Sequence, residues 1–364
     1  MKKFTGFEKG IGIGGWLTNY KRFAVIPEEK RFDITIGDEE HFKSYINFAD
    51  LRYIASLGFD HVRLAFDQIV LEEAPGVYRE YIFNLLENFM KWCEKFSLNA
   101  VFNLHKAIGN YCDVTENVSL LDSPELQERF INLWCEIERR FADRPNIVFE
   151  LLNEVRDVEP QKWNSLAKRT IDAIRVLNPE RKIMVGSTCW NDVNSLKYLE
   201  VYDDENVVYT FHFYKPFKFT HQRGVLTAGP LYYNRAMEYP APIKKYREYR
   251  ECVGSTSDIY DGYDVMDKKY IIDAMQGAFD FIEAHPDKIL TCSEFGTIRH
   301  CNIKYRENWM RDVITILSEH EIPYTAWNYL STPNDGNKFS LVDDDNRRLI
   351  SKELHRILIG KSKS

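Results

Sequence analysis

The chain has 364 residues, 44% of them hydrophobic and 28% charged, which is enough to bury a large core and too apolar for a disordered polymer. Asp and Glu (55) outnumber Lys and Arg (48), and the formal charge of −7 suits neither a nucleic-acid backbone nor an anionic membrane surface as partner. No apolar run reaches the roughly 18 residues of a spanning helix. The seven cysteines are scattered without a C-x-x-C, so structural zinc and a disulfide framework are not expected, and a reducing compartment is. The start, MKKFTGFEKGIGIGGW, has no apolar core of a signal peptide. A cytoplasmic location is therefore expected, or a secreted one if a leader once preceded it.

Short apolar runs rich in β-branched and aromatic residues recur along the chain. They predict strands over Ile11–Trp16, His61–Leu64, Asn99–Leu104, Ile147–Leu152, Lys182–Val185, Val207–Phe211, Ile289–Cys292 and Tyr324–Trp327. Most are continuous rather than alternating, as in parallel strands buried on both faces. Amphipathic segments lie between them: Phe83–Phe96, Pro124–Phe141, Pro160–Leu177, Lys268–Ala284 and Tyr305–His320. Ser123-Pro124 is a helix start and Asn178-Pro179 a helix stop. The alternation predicts an α/β fold, a (β/α)8 TIM barrel, with an open doubly wound sheet as the alternative that strand counting leaves standing.

A typical barrel takes about 250 residues, so roughly 110 belong in insertions of a single catalytic domain. One insertion runs from Thr18 to Phe48. The other, Lys215 to Asp267, follows strand 6 and carries Tyr232, Tyr233, Tyr239, Tyr246, Tyr249, Tyr260 and Tyr263; a partly helical cap is expected there.

The run Gly10-x-Gly12-x-x-Gly15 matches a dinucleotide fingerprint by letters. That fingerprint needs a helix opening at the glycines, and Trp16-Leu17-Thr18-Asn19-Tyr20 is a poor helix start. The glycines instead suit a tight first strand with open space above it. The nine histidines show no metal-ligand spacing, and neither a metal nor an organic cofactor is expected.

Carboxylates at strand ends carry more information. Strand 4 delivers Glu154 and strand 7 delivers Glu294 to the C-terminal mouth, where barrel enzymes keep their chemistry. One Glu after a strand is commonly a solvated or capping group. Two, joined by Arg63 on strand 2, His105 on strand 3, His212 and Tyr214 on strand 6 and Trp327 on strand 8, make a polar ring. Such a ring suits glycosidic bond cleavage, which needs one protonated carboxyl and one ionised one. Carboxyls about 5 Å apart at an effective dielectric near 20 repel by roughly 3 kcal/mol, about two pKa units, which can hold one of them protonated. The separation itself is not legible, so retention and inversion both stay open.

These residues resemble glycoside hydrolase family 5, most closely its endoglucanase C type of bacterial cellulase. The resemblance spans nearly the whole chain. It rests on Gly10–Trp16, Gly58–Leu64, Phe149-Glu150-Leu151-Leu152-Asn153-Glu154-Val155, Phe211–Tyr214, Ser293-Glu294-Phe295-Gly296 and Ala326–Tyr329. It implies a retaining endo-β-1,4-glucanase acting on a β-glucan, with mixed-linkage glucan as a further substrate. β-Mannan, β-1,3-glucan, exo action on short oligosaccharides and a catalytically inactive carbohydrate-binding barrel are the alternatives. It implies Glu154 as acid/base, Glu294 as nucleophile and Asn153 on the sugar 2-hydroxyl. Arg63 and Tyr214 would bond Glu294, His105 would meet sugar hydroxyls and His212 would meet Glu154. Trp327 would be the floor beneath the cleaved sugar. Trp16, Tyr20, Tyr111, Trp190 and Phe217 are further stacking candidates.

Departures from the family pattern are His105-Lys106, where two histidines are usual, and the loop Ala107–Asp113. Nothing in the pattern demands a second subunit, and a monomer is expected.

Overall fold

The computed structural model describes residues 2–18, 36–111, 119–226, 228–254, 260–333 and 335–360. Eight parallel strands close into a barrel: β1 (Lys9–Leu17), β2 (His61–Asp67), β3 (Asn99–Lys106), β4 (Ile147–Glu150), β5 (Lys182–Gly186), β6 (Val207–Phe213), β7 (Ile289–Phe295) and β8 (Tyr324–Ala326). Closure is made by β1 against β8, with Gly10 opposite Thr325 and Ile11 opposite Ala326. All eight predicted strands are present, and the doubly wound alternative is excluded by that closure.

Their ends differ from expectation. His105, His212 and Glu294 lie inside strands that polarity places as ending one or two residues earlier, and the strand carrying Arg63 runs on past Leu64 to Asp67. The reason is that the barrel's lumen, unlike an ordinary core, is lined near its mouth by polar groups that satisfy one another. β4 is shorter than predicted, ending at Glu150, and Trp327 stands just past β8.

Helices wrap the barrel because their apolar residues recur at three- and four-residue spacing. The helix Glu80–Lys95 buries Ile82, Phe83, Leu86, Phe89, Met90 and Cys93. Ser123 caps the helix Pro124–Phe141, accepting from the N–H of Leu126, with Pro124 in its first turn. The predicted helix Lys268–Ala284 is two, Lys268–Ala274 and Gln276–Ala284, meeting at Met275. Close by, a Cβ on Gly277 would stand 2.4 Å from the Val193 carbonyl oxygen. The 215–267 insertion holds the helix Lys244–Val253 and a ribbon pairing Ala241–Pro242 with Val265–Met266. Among the described residues no helix is long and apolar enough to cross a membrane.

Most of the core lies between strands and helices, and a smaller plug of Phe4, Phe7, Val101, Val148, Met184, Val208 and Ile289 closes the bottom of the lumen. The large aromatic count mostly serves this core. Trp16, Trp134, Trp163 and Trp309 are wholly buried, four of the seven tryptophans. Outside the site Arg181 makes a buried ionic contact with Glu138, at 2.6 Å from Nε to Oε2. The same guanidinium donates to the carbonyls of Phe141, Arg144 and Ile147, clasping a helix end to β4 and β5. Arg181→Ala is expected to lower unfolding free energy by about 3 kcal/mol or more, because it strands a buried carboxylate. Urea denaturation of the two proteins measures this, and a loss below about 1 kcal/mol contradicts the clasp.

Candidate active site

Arg63 reaches into the lumen from β2 and is completely buried. Its Nε donates to Glu150 Oε2 at 2.6 Å and its Nη2 to Glu150 Oε1 at 2.9 Å, a two-pronged contact across the barrel. Nη2 also donates to Asn153 Oδ1 at 2.6 Å, and Nη1 to Glu294 Oε2 at 2.7 Å. Guanidinium only donates, so the Asn153 oxygen must face it and the amide nitrogen is turned elsewhere. Ser293 Oγ, one residue before Glu294, donates to Glu150 Oε1 at 3.2 Å.

Glu294 has a second donor, the Tyr214 hydroxyl at 2.6 Å from Oε1. Tyr214 is itself held by its surroundings. Thr220 Oγ1 donates to its carbonyl at 2.6 Å, and the rings of His221 and Phe339 lie 4.9 and 5.8 Å away, edge-on. Burial pushes the His221 ring down to about 3, so it packs there as a neutral group.

Glu154, just past β4, is about one-fifth exposed and opens to the mouth. His212 Nδ1 lies 3.0 Å from Glu154 Oε1, and its Nε2 lies 3.9 Å from Glu294 Oε2, so one imidazole spans both carboxyls. Asn110 Nδ2 donates to the Glu154 carbonyl at 3.1 Å and fixes the backbone that presents it.

The two carboxyls are pushed apart electrostatically. Burial raises Glu154 above the ordinary carboxylate value, and the nearby Glu294 charge adds to this against the pull of His212. Burial alone would raise Glu294 too. The charges of His212 and Arg63, with the hydrogen bonds from Tyr214 and Arg63, outweigh it and hold Glu294 below the ordinary value. Tyr214 is driven well upward, first by burial and then by Glu294, and so stays a donor. Ligand-type atoms of Glu154, His212 and Glu294 lie within 4.8 Å of one another. Such a trio suits a cation by residue type, but the Arg63 guanidinium beside Glu294 opposes a second positive charge there, and proton chemistry between two unlike carboxyls fits better.

The rings sort into several groups. His105 and Trp327 lie parallel, with centroids 5.5 Å apart and 6° between planes, and Trp327 is partly exposed at the mouth. Trp190, at the top of β5, is 43% exposed, and its backbone N–H donates to the Val155 carbonyl at 2.8 Å, next to Glu154. It sits in a run of three left-handed residues, Cys189, Trp190 and Asn191. Phe217 is half-buried, stacked on His221 at 4.0 Å. Tyr111 is half-buried at the edge of the described region, and Tyr20 lies outside it. Trp16 corrects an expectation. It is wholly buried, packed on Phe89 with its Nε1 donating to the Phe42 carbonyl at 2.6 Å, and no sugar can reach it.

One departure from the family pattern has a place here, and so has the loop after β8. Lys106 is buried with its Nζ 3.9 Å from Asp67 Oδ2. Asn337, in the loop after β8, accepts from the N–H groups of Val225 and Leu226 and ties that loop to the insertion. Sequence reasoning missed Glu150, Ser293 and Asn110. Glu150 carried a signal: a charged residue in an otherwise apolar strand, four positions before Glu154, must meet a buried partner.

Known proteins place this arrangement. The cellulase profile, glycosyl hydrolase family 5, matches residues 28–332. Endoglucanase C of Acetivibrio thermocellus is 32% identical over 356 residues, covering 97% of this chain and 98% of that one. Cellodextrinase A of Ruminococcus flavefaciens is 32% identical over 327 residues, covering 88% and 85%. The endoglucanase Cel5A structure from the hyperthermophilic Thermotoga maritima superposes with a TM-score of 0.74 at 22% identity, covering 97% of each chain, and shares the fold. The closed barrel, its paired carboxyls and these relatives together show that the chain belongs to the cellulase family, glycosyl hydrolase family 5, and is a glycoside hydrolase.

Proposed function

We propose that the chain is a retaining endo-β-1,4-glucanase that cleaves β-glucan by double displacement, mixed-linkage glucan included. The observation that carries this is the unlike carboxyl couple, Glu154 pushed above the ordinary carboxylate value and Glu294 held below it, with atoms within 4.8 Å. Retaining enzymes space their carboxyls by about 5 to 5.5 Å and inverting ones by more, to admit a water.

In the first step a Glu294 carboxylate oxygen attacks the anomeric carbon while Glu154 gives its proton to the glycosidic oxygen. The leaving chain departs as an alcohol and a glycosyl ester remains on Glu294. Glu154, now ionised, takes a proton from water as the water oxygen attacks the same carbon. The sugar leaves with its original anomeric configuration, and both carboxyls return to their starting states. Asn153 offers its free amide N–H to the 2-hydroxyl, where the bond strengthens as positive charge develops on the ring. His105 meets sugar hydroxyls, Trp327 lies beneath the cleaved sugar, and Trp190 stacks a sugar on the leaving-group side, where Glu154 stands. No step calls for a metal ion or organic cofactor.

A second reading, cleavage of short cellodextrins, is favoured by the equal 32% identity to the cellodextrinase. Product sizes over time on carboxymethylcellulose and cellohexaose separate the two. Early mid-chain cuts support the endo reading, and stepwise release of short sugars with no fall in viscosity overturns it.

Glu154→Gln and Glu294→Gln are each expected to lower hydrolysis of cello-oligosaccharides by roughly a thousandfold or more while far-UV circular dichroism stays unchanged. Near-normal turnover by either variant would sink the assignment. Because Glu294 must be ionised and Glu154 protonated, kcat/KM should be bell-shaped in pH. Its acid limb lies below the ordinary carboxylate range and its alkaline limb above it. Tyr214→Phe removes a donor to Glu294, so the acid limb should move to higher pH; a limb that stays in place refutes that role for Tyr214. Glu150→Gln turns an N–H toward the Arg63 fork and is expected to cost about tenfold or more in kcat/KM, measured beside the melting temperature. An unaltered kcat/KM removes Glu150 from the account.

A further inference from the structure

The glycine run of β1 has no part in the reaction described so far. No helix opens at it, since β1 continues as strand to Leu17. Gly15 has φ +72° and is suited to its backbone. Gly12 and Gly14 are not among the residues with positive φ, so conformation does not ask for glycine at either. Space does. A Cβ at position 12 would stand 2.8 Å from Trp327 Cε3 and 3.2 Å from Cζ3. A Cβ at position 14 would stand 2.5 Å from Trp327 Cη2 and 2.6 Å from Cζ2. At both positions the next neighbours, the Ala326 carbonyl oxygen and Asn328 Nδ2, are at an ordinary 3.5 Å.

The six-membered ring of Trp327 therefore occupies the volume that two β1 side chains would fill. The backbone around the indole has little room to give way. Ala326 pairs with Ile11 of β1, the Trp327 N–H donates to Phe295 O at 2.8 Å, and the Tyr329 N–H donates to Gly12 O at 2.8 Å. A methyl group at position 12 or 14 would have to turn the ring by its own torsions, away from its parallel arrangement with His105. Glycine inside a strand is otherwise a liability, having no side chain to pack and more freedom to lose.

We propose that Gly12 and Gly14 are positioning residues for the hydrolysis: their empty Cβ sites seat the indole of Trp327 and so set the floor under the cleaved sugar. This rests on the reading of Trp327 as that floor.

The test is a set of single and double variants, Gly14→Ala, Gly12→Ala and Trp327→Ala, in the full chain, read by melting temperature and by kcat and KM on cellotetraose. Gly14→Ala alone should lower the melting temperature and cut kcat by about tenfold or more, since a displaced contact of about 1 Å is felt at the reacting centre. In the Trp327→Ala background the same change should leave the melting temperature equal or higher and cost less than about twofold in kcat, because the clash has gone. Gly12→Ala should repeat this pattern with a smaller loss. Wild-type kcat in Gly14→Ala, or equal losses with and without the indole, overturns the proposal. If Gly14→Ala fails to fold, recovery of folding in the double variant supports it and failure of both overturns it. A wild-type chain inactive on cellotetraose would defeat the reading of function, whereas the melting-temperature comparison tests the glycine seat on its own.

Discussion

One buried guanidinium organises this molecule. Arg63 from β2 holds Glu150 from β4 in a fork, Glu294 from β7 through its remaining nitrogen, and Asn153 beyond the end of β4. Taking an arginine wholly out of water is costly unless every donor is matched, and removing a partner typically costs about 3 to 5 kcal/mol. Arg63 and its partners come from three strands on different sides of a lumen and meet only when the barrel is closed. The catalytic geometry and the fold are in that sense the same constraint, and the ordinary apolar core around the strands is what holds the ring of donors in register.

From that constraint the two carboxyls take different roles without any difference in residue type. Glu294 receives Arg63 on one oxygen and Tyr214 on the other, and its charge is stabilised. Glu154 receives one imidazole contact and is otherwise in a poorly hydrated mouth facing a negative neighbour, so its proton is held more tightly. His212 lies between them, 3.0 Å from one and 3.9 Å from the other, and couples their states. Glu150 is the least visible member of the set. It touches no cleft, yet it fixes the plane of the guanidinium and so the direction from which Arg63 meets Glu294.

How much of this was legible in the sequence follows from the same physics. Parallel strands buried on both faces give continuous apolar runs, and all eight were found. Several ends were placed too early where a polar residue pointed into the lumen, because His105, His212 and Glu294 read as strand terminators when their partners are invisible. Glu154 and Glu294 stand out by their places after apolar runs, and the family resemblance supplied the contacts of Arg63, Tyr214 and His212 that local pattern does not encode. Glu150 was missed because its partner lies 87 positions away in the chain. Trp16 was misjudged for the opposite reason. Plain alternation would put it on the face of Gly12 and Gly14, but β1 is irregular between Ile13 and Leu17, with Gly15 at φ +72°, so Trp16 packs on Phe89 while the two glycines face the indole of Trp327.

The central claim is that Glu294, held ionised by Arg63 and Tyr214, forms a covalent bond to the sugar. The direct measurement is intact-mass and peptide mapping of the enzyme after exposure to a 2-deoxy-2-fluoro-β-cellobioside bearing a good leaving group, which slows hydrolysis of a glycosyl ester more than its formation. The account predicts one glycosyl addition per chain, on the peptide containing Glu294, released again when a cello-oligosaccharide acceptor is supplied. An addition mapped to Glu154, or rapid turnover with inverted product and no covalent species, would contradict it.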